Sequence, residues 1–336
     1  MSKRILVTGH GGFLGIAICR QLIAAGYQVR GLARGEYPEL TRLGVESLRG
    51  SVADPFAVAR AIRGVDGVIH TAAIAGVWGD KRVYESVNVS ATDLLLQGAK
   101  REGVSAFVYT SSPSVTFDGT PQSGVDEEVA MPTRWLCDYP RTKAIAERKV
   151  LDASDGMSIF ACSLRPHLIW GVGDPHLIPR VIERCKRGRL RRVGTGKNLI
   201  DTVHVENAAY AHVLALQRML DRDVQASGRA YFITDGEPVC CWEWISTILR
   251  SAGLEVPKGS ISLRAAYAIG GVLEGVYRML GILAEPPMTR FVALQMGVDH
   301  YFDISAAARY LGYVPREDRA KRLEELAQDL RKINVV

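Results

Sequence analysis

Three glycines near the start of the chain constrain the fold more than any other feature. Gly9, Gly12 and Gly15 follow an aliphatic run over residues 5–7, and a helical pattern over residues 16–25 comes next. In a strand–turn–helix unit, glycine lets the backbone approach a pyrophosphate closely, and the helix N-terminus presents free N–H groups. The start of the chain therefore predicts a dinucleotide-binding turn, with an ordinary strand-to-helix turn as the alternative.

β-rich runs and helical runs alternate through the first half of the chain. Strand-like segments cover residues 28–33, 45–48, 67–70 and 106–109, and helical patterns separate them. This alternation is typical of a parallel sheet covered by helices on both faces. The sequence therefore predicts an α/β fold, a Rossmann-type doubly wound parallel sheet.

The composition is that of an ordinary globular protein. The chain has 336 residues, of which 47% are hydrophobic and 23% charged, and its net charge is +6. No basic motif interleaved with aromatic residues accompanies this charge, so we expect no nucleic-acid partner. The six cysteines are scattered, without a CxxC pair or a Cys/His cluster, which argues against a metal site and a disulfide framework. No secretory signal precedes the first strand, so we expect a cytoplasmic protein.

The end of the second predicted strand is where a dinucleotide fold selects its cofactor. NAD enzymes place a carboxylate there for the ribose 2′-OH, and NADP enzymes place a cation for the 2′-phosphate. Here the strand ends at Ala33 and Arg34 follows, and a guanidinium can bind a phosphate. We expect NADP(H), with NAD(H) as the alternative if Arg34 is only a surface charge. Ala72 and Ala73, after the strand 67–70, are small enough for the cofactor's ribose and phosphates to lie against the backbone.

Tyr139 and Lys143 stand four residues apart in a helical pattern, so a helix places both on one face. A nearby ammonium stabilises the phenolate and lowers the pKa of a tyrosine, which makes its hydroxyl a usable proton donor or acceptor. A serine in Thr110-Ser111-Ser112, at the end of the strand 106–109, could hydrogen-bond the same substrate oxygen. An isolated Tyr-x-x-x-Lys is more often a solvent-facing pair, but the glycine turn and the serine-rich strand end favour a reaction centre.

Five motifs occur together in one order. They are Thr8-Gly9-x-x-Gly12-Phe13-Leu14-Gly15, Thr110-Ser111-Ser112, Tyr139-x-x-x-Lys143, Leu164-Arg165-Pro166 and His204-Val205. With them the whole chain resembles an extended short-chain dehydrogenase/reductase, and within that superfamily it is most similar to the 3β-hydroxysteroid dehydrogenase branch. Further segments similar to that branch are 198–201, 207–212, 285–291 and 300–305.

Shorter segments narrow the resemblance. They are Arg34-Gly35-Glu36-Tyr37-Pro38, Gly76-Val77-Trp78-Gly79 and Pro113-Ser114-Val115-Thr116. They are similar to the bacterial 2-alkyl-3-oxoalkanoate reductases of long-chain olefin biosynthesis. The resemblance implies an NAD(P)H-dependent oxidoreductase that reduces the 3-oxo group of a large apolar substrate, a 2-alkyl-3-oxoalkanoate, to the 3-hydroxy acid. A 3β-hydroxysteroid or sterol dehydrogenase is the second interpretation. A cofactor-binding regulator without catalysis is a different class, which the retained serine, tyrosine and lysine disfavour.

The resemblance also implies roles for single residues. Tyr139 is expected to protonate the carbonyl oxygen, and Lys143 to lower the pKa of Tyr139 and hold the nicotinamide ribose. Ser112 is expected to orient the substrate oxygen, and Ser114 is the competing serine. At Ser51 the family often has an aspartate that contacts the adenine amine, so we expect a weaker adenine contact here or one made by backbone.

The predicted binding residues form two sets. Cofactor contacts are expected from Gly9, Gly12, Phe13, Leu14, Gly15, Arg34, Ser51, Val52, Ala72, Ala73, Tyr139, Lys143, Pro166, Leu168 and Ile169. Substrate contacts are expected from Ser114, Trp78 and Trp170.

Ile200 separates this chain from the sugar-nucleotide enzymes of the superfamily. Nucleotide-sugar epimerases and dehydratases usually carry an arginine immediately before the aspartate that is Asp201 here, where it holds the phosphates of the sugar nucleotide. An apolar side chain cannot replace such a phosphate clamp. An epimerase or dehydratase is therefore the least favoured interpretation.

The two functional regions are expected to interleave. We predict an NADP(H)-binding Rossmann domain over residues 1–170, with 198–234 returning to it. A smaller substrate-binding and capping region is predicted over 171–197 and 235–336, on the side where the strands have their carboxyl ends. Relatives are often dimers, so we expect a homodimer; association with other enzymes is a further alternative.

Two stretches of the predicted cap leave alternatives open. Residues 179–192 are rich in arginine and form either a solvated basic helix or a positive rim that attracts a carboxylate substrate or an anionic membrane. Residues 263–284 are apolar and about as long as a membrane span, but they contain Glu274 and Arg278. We expect an amphipathic helix of the substrate domain there, with a peripheral membrane contact as the alternative.

Overall fold

The computed structural model describes residues 2–334. Its strands are β1 (Arg4–Thr8), β2 (Gln28–Ala33), β3 (Glu46–Arg49), β4 (Gly67–His70), β5 (Ala106–Thr110), β6 (Gln122–Val125), β7 (Phe160–Pro166), β8 (Ile169–Trp170), β9 (Arg192–Val193), β10 (Leu199–Ile200), β11 (Val203–His204), β12 (Ala230–Ile233), β13 (Val239–Cys240), β14 (Ser260–Ile261) and β15 (His300–Phe302). Its helices are α1 (Phe13–Ala24), α2 (Pro38–Arg42), α3 (Pro55–Ile62), α4 (Lys81–Tyr84), α5 (Ala91–Glu102), α6 (Asp138–Ala153), α7 (Leu177–Lys186), α8 (Val205–Leu220), α9 (Cys241–Ser251), α10 (Leu263–Met279), α11 (Arg290–Gly297) and α12 (Arg319–Asn334). Irregular helical turns cover Glu85–Ser90, Pro113–Thr116 and Ala307–Leu311.

The largest sheet within residues 2–334 has seven parallel strands in the order β12-β7-β5-β4-β1-β2-β3. The residues of β4, β5 and β7 are all buried, and so is most of β1. Strands buried on both faces are expected when helices cover a parallel sheet from two sides. Helices α1 and α8 pack on one face, and α3, α5 and α6 pack on the other. The predicted Rossmann-type doubly wound α/β fold is confirmed.

The strand order reverses between β1 and β4, because β1 pairs with β2 on one side and with β4 on the other. In an open parallel sheet the adjacent loops separate at such a point and leave a crevice at the carboxyl ends of the strands. The glycine turn after β1 and the small residues after β4 both lie at this crevice.

A second sheet is built from segments that are far apart in the chain. Its order is β13-β10-β15-β6, so residues near 123, 200, 240 and 301 meet in it. The segment 198–234, which we expected to return to the main sheet, is divided: α8 and β12 pack there, β10 joins the second sheet and β11 pairs with β8.

The apolar segment that raised the question of a membrane span is helix α10, which ends at Met279. Its Glu274 is buried and pairs with Arg290 at 2.7 Å, whereas Arg278 lies over the ring of Trp78. Within the part of the chain that the structure describes, no helix combines the length and the apolar character that a membrane span needs.

Candidate active site

The glycine turn forms a tight cradle after β1. Gly9 has φ +70°, a left-handed conformation that favours glycine. A Cβ at Gly9 would lie 2.9 Å from Thr71 Oγ1, and one at Gly15 would lie 2.2 Å from the carbonyl oxygen of Gly9. Both positions therefore require glycine, and the turn keeps its backbone open toward the crevice.

Helix α1 begins directly after this cradle. Its N-cap is Gly12, no side chain caps the helix, and its first turn carries no acidic residue. The N–H groups of the first turn are thus free to bind a ligand, and the positive end of the helix dipole favours an anion. The turn fits a dinucleotide pyrophosphate, since it offers backbone donors without a side chain in the way.

A cavity of about 770 Å³ runs from this cradle across the carboxyl ends of the main sheet. All the residues that we predicted to contact a cofactor line it: Gly9, Gly12, Phe13, Leu14, Gly15, Arg34, Ser51, Val52, Ala72, Ala73, Tyr139, Lys143, Pro166, Leu168 and Ile169. Ser112 and Ser114 line it as well. We call this cavity the cleft.

The end of β2 presents Arg34 to the cleft. Arg34 is exposed and forms no ion pair with any residue that the structure describes, whereas Arg49 nearby is paired with Glu36 at 3.2 Å. Arg30 is not available to a ligand, because it is buried and bound to Glu46 at 2.9 Å. One unpaired guanidinium therefore faces this end of the cleft within the described chain.

Tyr37 is a wall of the cleft that the sequence analysis did not assign. Its ring occupies the space that a side chain at Gly11 would need, since a Cβ there would lie 1.9 Å from the ring. It meets His10 edge-on, with ring centroids 5.3 Å apart. Its position, three residues after Arg34, was the sequence feature from which its place in the cleft could have been predicted.

Two serines and Tyr139 meet at the other end of the cleft. The turn Pro113–Thr116 brings Ser114 Oγ to 2.9 Å from Ser112 Oγ. Burial raises the pKa of Tyr139 above its usual value, and a hydrogen bond with the Ser112 side chain opposes that shift. Of the two serines, Ser112 is thus the one whose side chain affects the pKa of the phenol.

The pKa shift of Tyr139 has the opposite direction to the one we expected from a neighbouring ammonium. Lys143 is buried, donates a hydrogen bond to the Thr110 carbonyl at 2.5 Å, and lies 4.2 Å from the centre of the Tyr109 ring. Burial lowers the pKa of Lys143 to about 7, against the opposing effect of Glu147. Burial therefore disfavours the charged form of the lysine.

A buried ion pair anchors the helix that carries Tyr139. Glu147 lies one turn beyond Lys143 and binds Arg165 of β7 at 2.6 Å, and neither side chain is more than 4% exposed. Glu147 also accepts a hydrogen bond from Ser163 at 3.0 Å. The pair fixes α6 against the main sheet. The spacing Tyr139, Lys143, Glu147 was a signal that sequence analysis could have used.

A pair of histidines lies behind the segment that follows β7. His167 lines the cleft, and its Nε2 is 2.7 Å from Nδ1 of His300. His300 Nε2 is 2.6 Å from the Gln295 carbonyl, which can only accept, so His300 donates there and His167 donates to His300. Burial lowers the pKa of both histidines, that of His300 to about 4, so both are neutral at pH 7.

An apolar cluster reaches the cleft through Phe291. Phe117 and Phe291 pack edge-on with centroids 5.9 Å apart, and Val77, Leu136 and Cys137 pack against them. Phe291 also lines the cleft. This end of the cleft can therefore receive an apolar group.

Neither predicted tryptophan contact lines the cleft. Trp170 is fully buried in an apolar cluster that also contains Ile200, and its Nε1 donates a hydrogen bond to Asp235 at 3.4 Å. Trp78 donates a hydrogen bond to the Ile282 carbonyl at 3.0 Å, and its ring meets that of Tyr277 edge-on.

No group of three metal-ligating side chains occurs in the chain from residue 2 to residue 334.

Comparison with known proteins finds relatives of the 3-beta hydroxysteroid dehydrogenase type. The sequence model of the 3-beta hydroxysteroid dehydrogenase/isomerase family matches residues 6–264. The chain is 46% identical to the 2-alkyl-3-oxoalkanoate reductase of Shewanella oneidensis, over 95% of this chain and 84% of the relative. It is 43% identical to the 2-alkyl-3-oxoalkanoate reductase of Stenotrophomonas maltophilia, over 96% and 98%. A 3 beta-hydroxysteroid dehydrogenase/Delta 5→4-isomerase of Mycobacterium tuberculosis is 34% identical, over 93% and 86%.

Solved structures share the fold. MoeE5 in complex with UDP-glucose and NAD has a TM-score of 0.75 and 24% sequence identity, with 98% of this chain and 99% of that chain covered.

Proposed function

Since the chain belongs to the 3-beta hydroxysteroid dehydrogenase/isomerase family, we propose that it is an NADP(H)-dependent reductase that converts a 2-alkyl-3-oxoalkanoate to the 3-hydroxy acid. The chain is an oxidoreductase of the short-chain dehydrogenase/reductase type, as predicted. The observation that carries the proposed reaction is that Ser112, Tyr139 and Lys143 line the same cleft as the glycine cradle. The proposed substrate rests on the two relatives with 43% and 46% identity.

Ser112 and Tyr139 have separate roles in the proposed carbonyl reduction. A bound nicotinamide dinucleotide supplies the hydride in enzymes of this type. Ser112 donates a hydrogen bond to the substrate carbonyl oxygen and polarises it. Tyr139 donates its phenolic proton to the same oxygen as negative charge develops there. Burial raises the pKa of this phenol, so it is protonated at neutral pH and ready to donate.

Lys143 acts behind the tyrosine. Its hydrogen bond to the Thr110 carbonyl ties the ammonium to the end of β5. When protonated it stabilises the phenolate that Tyr139 becomes after giving up its proton. With a pKa of about 7, it can also take up or release a proton near neutral pH.

The preference for NADP(H) rests on Arg34. The guanidinium is exposed at the end of β2 and has no ion-pair partner among the described residues. A 2′-phosphate is the group that a cation at this place accommodates. We expect Arg34→Ala to lower the ratio of NADPH to NADH efficiency (kcat/KM) about tenfold, because a charge-assisted hydrogen bond contributes about 1.5–3 kcal/mol. An unchanged ratio would contradict the assignment.

The choice of an apolar substrate rests on Phe117 and Phe291. Phe291 gives the cleft an apolar wall, and the buried ring of Phe117 packs edge-on against it. A sugar nucleotide would need a phosphate clamp, whereas Ile200 is buried in an apolar cluster. A 3β-hydroxysteroid would also suit this wall, and the relative with 34% identity favours it as the second candidate.

The test is NADPH oxidation with a long-chain 2-alkyl-3-oxo acid, run beside NADP⁺ reduction with a 3β-hydroxysteroid. We expect turnover of the keto acid and none with UDP-glucose. Turnover of the steroid alone would replace the proposed substrate with the second candidate. Absence of turnover with every substrate, in protein shown to bind NADPH, would contradict the proposed function.

The proposed organisation places cofactor binding in residues 1–170 with 198–234, and substrate selection in 171–197 and 235–336. The positions of α8 and β12 on the main sheet support the first part, and Phe291 in the cleft supports the second. We also propose a homodimer, which sedimentation of the purified protein would test.

A further inference from the structure

A second cavity lies between α7 and α10. Its volume is about 630 Å³, within the range of small-molecule sites. It shares no lining residue with the cleft described above. The side chains on the α7 side and in the turn after it are mostly arginines: Arg180, Arg184, Arg187, Arg189 and Arg191. We call it the arginine cavity.

The arginines outnumber the carboxylates that line the arginine cavity. Glu183 and Glu285 are its acidic residues, so three of the five positive charges are not compensated by the lining. Glu285 pairs with Arg180 and lies 3.7 Å from Arg184, and Glu183 pairs with Arg187 at 2.6 Å.

Arg189 and Arg191 are the open cations of this cavity. Both side chains are exposed, and neither forms a hydrogen bond or ion pair with a side chain in the described part of the chain. The neighbouring Arg180 and Arg184 already hold the carboxylate of Glu285. The same guanidinium chemistry is therefore free at Arg189 and Arg191 for an outside carboxylate.

The opposite wall of the arginine cavity is apolar. Helix α10 contributes Ile269, Leu273 and Tyr277. Ile269 is 46% exposed, and on the same helix Val272 is 67% exposed. Large apolar side chains that face water side by side indicate a binding surface.

A cavity with one cationic wall and one apolar wall matches a ligand with an anionic head and an alkyl chain. We propose that the arginine cavity binds one long-chain carboxylate, with its head at Arg189 and Arg191 and its chain along Ile269, Leu273 and Tyr277. The volume of about 630 Å³ has room for a single ligand of this kind, and the chemistry of that ligand is that of the proposed substrate and product. The site is separate from the cleft, so its occupation does not depend on catalysis.

The test is calorimetric titration of the full-length protein with dodecanoate below its micelle concentration. We expect binding of dodecanoate at least tenfold tighter than binding of acetate, which lacks the chain, or of dodecyltrimethylammonium, which carries the opposite charge. The double variant Arg189→Gln/Arg191→Gln should raise the Kd for dodecanoate at least tenfold. Ile269→Asn should raise it several-fold.

The matched control is Arg20→Gln/Arg42→Gln, which removes the same charge from exposed positions on α1 and α2. It should leave the Kd for dodecanoate unchanged. NADPH-dependent turnover should persist in the Arg189→Gln/Arg191→Gln variant, which shows that the protein is folded and separates this test from that of the proposed function.

Two results would overturn the proposal. Unchanged dodecanoate binding in Arg189→Gln/Arg191→Gln would place the ligand elsewhere, in the cleft. Sedimentation with phosphatidylglycerol vesicles without binding of dodecanoate would assign the arginines and the apolar helix face to a membrane surface instead.

Discussion

The cleft and the arginine cavity differ in how the chain assembles their walls. Much of the cleft is formed by short motifs that follow the carboxyl ends of parallel strands, such as the glycine turn after β1, and helix α6 adds Tyr139 and Lys143. The arginine cavity joins two helices whose lining residues lie about ninety positions apart, and no motif links Arg180 to Ile269. A parallel sheet brings its strand ends together by topology, whereas the cap depends on tertiary packing that no local pattern specifies.

The ion pairs of the main sheet and of the cap differ in how far they are exposed to solvent. In the main sheet, Arg165 and Glu147 are nearly inaccessible, at 4% and 0% exposure. In the cap, Glu274 is buried but its partner Arg290 is 33% exposed. We therefore expect the sheet region to be rigid around the chemistry and the cap to tolerate change.

The largest effect is expected at Tyr139. The variant Tyr139→Phe should lower kcat about 10²–10⁴-fold, because it removes the general acid. NADPH binding, measured by fluorescence titration, should be unchanged. Tyr27→Phe is the matched control and should keep full activity. If Arg189→Gln/Arg191→Gln lowered kcat as much as Tyr139→Phe does, the two cavities would not have separate functions.

The next effect compares the two ion pairs. Glu147→Gln should lower the free energy of unfolding by about 3–5 kcal/mol, because it leaves a buried guanidinium without its counter-charge. Glu274→Gln should cost less, about 1–3 kcal/mol, since Arg290 can turn to water. Urea denaturation at pH 7 measures both. Equal losses would contradict the contrast between sheet and cap.

The pH dependence of stability tests the buried lysine. The pKa of Lys143 is lowered from 10.5 to about 7 in the folded protein, so between these values the unfolded chain binds the proton and the folded chain does not. Stability from this group therefore rises with pH, by about 1.4 kcal/mol per unit within that window. The difference in unfolding free energy between wild type and Lys143→Met should rise from pH 7.5 to 9.5. A flat difference would show that the lysine keeps its usual pKa.

The smallest effect is expected at the contact between the two regions. Trp78→Phe removes the hydrogen bond to the carbonyl of Ile282, which lies just beyond the end of α10, and this bond is worth about 0.5–1.5 kcal/mol. Since Trp78 does not line the cleft, we expect a fall of this size in the free energy of unfolding, measured by urea denaturation, with unchanged kcat and KM for the keto acid. A fall in kcat as large as that of Tyr139→Phe would mean that Trp78 takes part in the chemistry.

The sequence was sufficient wherever local rules decide position. The turn from Gly9 to Gly15 and the pair Tyr139 and Lys143 could be placed because strand ends and helix spacing determine where such residues point. Trp170 was predicted to contact the substrate, but the sequence did not show that it lies in the short strand β8. Neighbouring residues of a strand face opposite sides, so Trp170 faces away from the cleft that Ile169 lines.

Contacts between distant segments lay beyond such rules. His167 and His300 are 133 positions apart and meet only because the second sheet brings β15 against the segment after β7. The pKa shift of Tyr139 differs in direction from the predicted one for another reason. The spacing predicted that Lys143 is a helical neighbour of Tyr139, but it did not predict the burial that raises the pKa of the phenol and lowers that of the lysine.

The central claim is that the cleft reduces the 3-oxo carbon of a long-chain keto acid. Its most direct test is mass spectrometry of the product formed with NADPH that carries deuterium at the transferable C4 position. Our account predicts a 3-hydroxy acid with one deuterium on C3 from the wild type and none from Tyr139→Phe in the same time. Unlabelled hydroxy acid, or unreacted keto acid with the wild type, would contradict it.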